Sequence, residues 1–144
     1  MFDDFSFRML ELAHEGFCCS QILIKLALES ETMENTDLVR AMGGLCYGVA
    51  NSGNLCGVLT GGICLLALKS SSDGDIPVPG YRFHLMADTY TQWFTNRIGN
   101  TYGGIKCSDI FGKEIQQPHD LGKCSTVLTE SYAKLMEILD EYNR

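Results

Sequence analysis

The chain has no C-x-x-C pair, no basic cluster, only three prolines and no apolar run long enough to cross a bilayer, and each absence removes a class of protein. Without a C-x-x-C pair, a thioredoxin-type centre and the usual structural zinc site both lose their signature. The eleven Lys and Arg residues are scattered and the formal net charge is −7, so phosphate backbones and anionic lipid meet no electrostatic footprint. Nucleic acid is not an expected partner. The longest apolar stretch, 55–68, contains Thr60 and three glycines and falls short of the roughly 20 residues that span a membrane, so no membrane insertion is expected. Residues 1–5 are acidic and no apolar segment with a small-residue cleavage site follows, which makes the cytoplasm the expected location.

What the chain does have is cysteine, seven residues in 144. A domain of this length buries enough apolar surface to fold without staples. An odd number of cysteines in a reducing compartment argues against a disulfide framework and leaves metal binding, redox chemistry or plain burial as a small apolar residue.

Apolar residues recur three and four apart along most of the chain, and alternating strand patterns are hard to find. Helices are expected over 2–14, 18–30, 36–42, 55–68 and 81–102, with one or two turns after Cys107 and a final helix after Cys124. Gly16, Gly103 and Gly104 read as stop signals, and Asn54 reads as the cap of the 55–68 helix. The core should include Phe83, Met86, Ala87, Tyr90, Phe94 and Ile98 from the long helix and Val127, Leu128, Leu135, Ile138 and Tyr142 from the last one. With no repeats or linkers, residues 1–144 form one domain, an all-α helical bundle of about five or six helices.

Cys19, Cys56, Cys107 and Cys124 each fall where a helix begins. Free N–H groups and the positive end of the helix dipole meet a thiol there, and both favour the thiolate, the form that reacts and binds metal. Four small buried residues would equally face inward, but burial alone gives no reason for the repeated helix-start position. On helical spacing Cys19 faces the core and Cys18 points more nearly outward. Cys64, about 12 Å along the axis from Cys56, cannot share a small site with it and reads as core. Cys46 lies in a glycine-rich loop, near such a site at most. Gly57 and Gly61 form a small-residue face that lets another backbone approach. His14, His84 and His119 are isolated, and Gly43-Gly44 lacks the strand and the Lys-Ser/Thr of a phosphate loop.

Cys56-Gly57-Val58-Leu59-Thr60-Gly61, with Cys19-Ser20-Gln21 upstream and Cys107 and Cys124 downstream, resembles the redox-active protein family named for its C_GCAxxG_C_C pattern. The likeness runs from Gly16 to about Leu128. Val58 stands where Ala is usual, and Cys18 where a capping Asn is common. The resemblance implies redox activity through Cys19, Cys56, Cys107 and Cys124, as reacting thiols or metal ligands, with Gly57 beside them as a cofactor-contacting position. It also implies an unidentified redox partner, with a transporter system as one candidate, and a relation to a domain of split-Soret cytochromes. The chain has no C-x-x-C-H, so no haem is expected.

Three chemistries fit four such thiols. Converging helix N-termini suit the negative charge of an iron–sulfur cluster, thiol–disulfide exchange could pair Cys19 with Cys56 or Cys107 with Cys124, and zinc ranks below both for want of closely spaced ligands. The alternative is a non-enzymatic helical module that binds a partner, its thiols inert or holding a structural zinc.

Overall fold

Apolar residues at helical spacing produce seven α-helices among the described residues, which in this computed structural model are 4–70, 77–112 and 122–142. They are α1 (Asp4–His14), α2 (Cys19–Glu29), α3 (Thr36–Met42), α4 (Gly57–Lys69), α5 (Tyr81–Tyr102), α6 (Cys107–Phe111) and α7 (Gly122–Tyr142), with a 3-10 turn at Gly43–Leu45. The count exceeds the expected five or six because α6, expected only as one or two turns after Cys107, is a helix of five residues in its own right. The chain is a single-domain, all-α bundle. None of the described helices is long and apolar enough to cross a membrane.

The apolar run at 57–69 becomes α4, which packs on α2, α5 and α7 and is therefore apolar on nearly every side. Leu65 and Leu66 of α4 are fully buried with Tyr90 and Phe94 of α5, Ile22 and Leu23 of α2, and Leu128 and Leu135 of α7. Removing such a side chain costs about 2–5 kcal/mol.

The glycines of α4 set how closely its neighbours approach. A Cβ on Gly61 would lie 2.8 Å from Cα of Ser20, so the N-terminal turn of α2 rests on α4 backbone to backbone. A Cβ on Gly62 would meet the Tyr90 ring at 2.6 Å. The Tyr90 hydroxyl donates to the Val58 carbonyl at 2.8 Å, which ties α5 to the first turn of α4.

The cap of α4 differs from the expected one. Cys56 itself, in extended backbone geometry, is the N-cap, and Asn54 lies two residues outside the helix. The Asn54 carbonyl is engaged elsewhere, accepting the Cys107 N–H at 2.7 Å.

Candidate functional site

Cys19, Cys56, Cys107 and Cys124 stand at the starts of four different helices. Cys19 and Cys107 are the first residues of α2 and α6, Cys56 caps α4, and Cys124 lies in the first turn of α7. All four line one cavity of about 30 Å³, enough for one or two water-sized groups. Gly57 lines it too; a Cβ there would stand 3.7 Å from that of Cys19. Phe17, Tyr47, Ile110 and Phe111 complete the apolar wall. Cys64 is no part of it and packs half-buried against the core.

Two local devices bring these helix starts together. Leu55 and Lys106 form an isolated antiparallel bridge, in which Cys56 N–H donates to Ile105 O at 3.0 Å and Cys107 N–H to Asn54 O at 2.7 Å. Since side chains alternate across a strand, Cys56 and Cys107 emerge on the same face of this bridge. The second device is the segment after the 3-10 turn. Tyr47, Val49, Ala50 and Asn51 have φ of 54°, 61°, 52° and 63°, left-handed values that cost L-residues about 1–2 kcal/mol each. Hydrogen bonds from Ala50 N–H to Gly44 O, Asn51 N–H to Cys46 O and Asn54 N–H to Gly48 O, at 2.9–3.0 Å, hold it. A side chain at Gly48 would strike Cys107 Cβ at 2.8 Å, so glycine lets this loop close against α6. Tyr47 then meets Phe111 edge-on at 6.5 Å.

Cys18 and Cys46 depart from expectation. They form a disulfide with Cα atoms 5.7 Å apart, and both line the cavity with the other four cysteines. Cys18 does not point outward, because as the N-cap of α2 it has extended backbone (φ −87°, ψ 175°) and its side chain escapes helical spacing. It is 7 % exposed, whereas Cys19 is half-buried. The oxidised pair is also not one of those the sequence offered for disulfide exchange, Cys19 with Cys56 or Cys107 with Cys124. The available signals were the adjacency of Cys18 to Cys19 and the glycine-rich loop that put Cys46 near such a site at most; nothing in the sequence marked Tyr47.

The electrostatics correct a second expectation. The N–H groups of Val58 and Leu59 do favour the Cys56 thiolate, as a helix start should, but burial dominates and, with Cys19 nearby, pushes the thiol up to about 12. Burial, then Cys19, pushes Cys107 up to about 11. Cys19 is held well above the usual thiol value by its hydrogen bond with Cys124, then by burial. Cys64 is also raised by burial, so easier ionisation does not distinguish the cavity thiols from it. Burial, followed by Cys19, Cys124 and Cys107, likewise raises the Tyr47 hydroxyl.

Four thiols on one cavity wall are the donor set of a metal–sulfur centre. Among the described residues, no three metal-ligating side chains are yet gathered closely enough to share one ion. His14 and His84 are exposed away from the cavity, and His119 lies outside the described residues.

A family model described as "Putative redox-active protein (C_GCAxxG_C_C)" matches residues 17–138 of the chain. No curated protein and no solved structure matches it.

Proposed function

The chain belongs to the C_GCAxxG_C_C family, and from that premise we propose that Cys19, Cys56, Cys107 and Cys124 form a redox site working by thiol–disulfide chemistry. One observation carries this reading: the cavity they line already contains an oxidised cysteine pair, Cys18–Cys46. In such a site two thiols lose two protons and two electrons to an incoming disulfide, which leaves as two thiols. Cys124 is the largest single influence on the Cys19 thiol, and the two line the same cavity, which makes them the pair best placed to close. Burial and neighbouring sulfur keep the Cys19, Cys56 and Cys107 thiols protonated at neutral pH, so reaction at them awaits removal of a proton.

A second reading rests on the donor set. Cys19, Cys56, Cys107 and Cys124 would hold an iron–sulfur cluster, which supplies one-electron transfer, and the N–H groups of Val58 and Leu59 beside Cys56 would offset its negative charge. Zinc ranks below it, and inert thiols in a partner-binding module rank last, since that picture gives no reason for four thiols and a disulfide to share one cavity.

Anaerobic purification with iron, sulfide and zinc analysis, followed by a thiol count before and after mild oxidation, tests the first reading. A colourless protein that reversibly loses thiols from the set of four supports it. A brown protein with stoichiometric iron and sulfide overturns it in favour of the cluster.

A further inference from the structure

The four family-pattern cysteines leave Cys18 and Cys46 without a role. Their disulfide shares the cavity with those thiols, and Cys18 is the chain neighbour of Cys19, which lines that cavity together with Cys124. Cys46, at a turn, and Cys19, fixed at the start of α2, are the half-buried members of this set, while Cys18 and Cys124 are 7 % and 5 % exposed. A cavity of about 30 Å³ admits no bulky disulfide, so a tripeptide disulfide meets the half-buried rim before the buried thiols. Cys46 also opens the left-handed segment at Tyr47–Asn51, whose strained backbone lies next to the sulfur that would have to move.

We propose that Cys18–Cys46 is the outer couple of a two-step relay that passes oxidising equivalents from an external glutathione-type disulfide to the inner pair Cys19/Cys124. This rests on the thiol–disulfide reading of the site.

The steps balance without any other oxidant. The Cys46 thiolate attacks glutathione disulfide, forming a mixed disulfide and releasing one glutathione thiolate. The Cys18 thiolate then attacks Cys46 Sγ, releasing the second glutathione and closing Cys18–Cys46. The Cys19 thiolate attacks Cys46 Sγ and frees Cys18, and the Cys124 thiolate attacks Cys19 Sγ and frees Cys46. Each departing thiolate takes up the proton that its successor surrendered. The net change is two protein thiols oxidised to Cys19–Cys124 and one glutathione disulfide reduced to two glutathiones.

The test mixes fully reduced protein with glutathione disulfide, quenches samples with acid, alkylates them and maps disulfides by mass spectrometry. Cys18–Cys46 should form first and Cys19–Cys124 later, the first species declining as the second grows. In Cys46→Ser, glutathione disulfide should form Cys19–Cys124 at least tenfold more slowly, while hydrogen peroxide, small enough to enter, still forms it. Equal rates with glutathione disulfide in the wild type and Cys46→Ser overturn the relay but leave the redox reading standing. So does wild-type Cys19–Cys124 appearing before Cys18–Cys46, a readout that survives if the variant does not fold. Failure of both oxidants to join any of the four inner cysteines in the wild type overturns the redox reading, and the relay with it.

Discussion

The two ends of α4 solve different problems with the same backbone. At its start, Cys56, Gly57 and Gly61 meet the first turn of α2 at backbone distance, beside a cavity built from loops, a lone bridge and a disulfide. At its other end Leu65 and Leu66 are sealed by aliphatic and aromatic side chains, and Lys69 reaches Glu31 at 3.1 Å. One cysteine belongs to each half, Cys56 to the cavity and Cys64 to the packing. A cysteine's chemistry is thus set by whether its helix end carries loops and neighbouring sulfur, since burial raises the pKa of both thiols.

The largest expected effect comes from opening the covalent link at the cavity end. Cys18–Cys46 spans a sequence separation of 28, for which loop-closure entropy predicts about 3–4 kcal/mol of stabilisation. Denaturant unfolding with and without reductant should show that loss. Hydrogen exchange should show it to be uneven, with amides of 43–56 opening faster while those of Leu65 and Leu66 hold. Uniform acceleration across α4 would erase the distinction between its ends.

A side chain at the close crossing ranks next. Gly61→Val drives a Cβ into Ser20, whose Cα lies 2.8 Å from that position, and overpacking against backbone costs about 1–3 kcal/mol. The variant should unfold at lower denaturant and lose the oxidation behaviour of the cavity, because α2 carries both Cys18 and Cys19. Unchanged stability would mean that the α2–α4 contact is looser than described.

Alkaline pH separates the halves more gently. Cys56 gives up its proton near 12 in the fold against an ordinary value of 9.0, so between those values the folded chain holds more protons than the unfolded one. Stability is intact below about pH 9 and falls as pH climbs toward 12, on the order of 1 kcal/mol per pH unit for such a buried thiol. Unfolding at pH 8 and pH 10 in wild type and Cys56→Ser measures it: the variant should lose less. Alkylation of Cys56 should also accelerate roughly tenfold per pH unit across that window, as its thiolate fraction grows.

The smallest effect is expected at Cys64→Ser, where a half-buried sulfur gives way to a hydroxyl at a cost of about 1 kcal/mol or less. Its oxidation chemistry should match the wild type. Altered chemistry there would break the assignment of Cys64 to packing.

Much of the bundle was legible because burial follows helical spacing. Phe83, Met86, Tyr90, Phe94 and Ile98 recur at three- and four-residue intervals and are buried in α5. The gathering of Cys19, Cys56, Cys107 and Cys124 at one cavity was expected from their helix-start positions, and Gly61 from its spacing with Gly57. What escaped lay where periodicity has no say. Cys18 is an N-cap outside the helical wheel, and Cys46 precedes a left-handed segment in which, of the four non-glycine residues, only Asn51 has a propensity for it. A single bridge between Leu55 and Lys106 is too short to show alternation. The expectation of lowered thiol pKa values read the helix ends rightly but underrated how deeply Cys56 and Cys107 are buried, at 4 % and 6 % exposure.

The central claim, that the four cavity cysteines are redox-active in their own right, is tested most directly by mapping disulfides in metal-free protein equilibrated across graded glutathione potentials. The account predicts two reversible couples, Cys18–Cys46 and one within Cys19, Cys56, Cys107 and Cys124. A titration in which Cys18–Cys46 alone responds, the other four remaining thiols throughout, would contradict it.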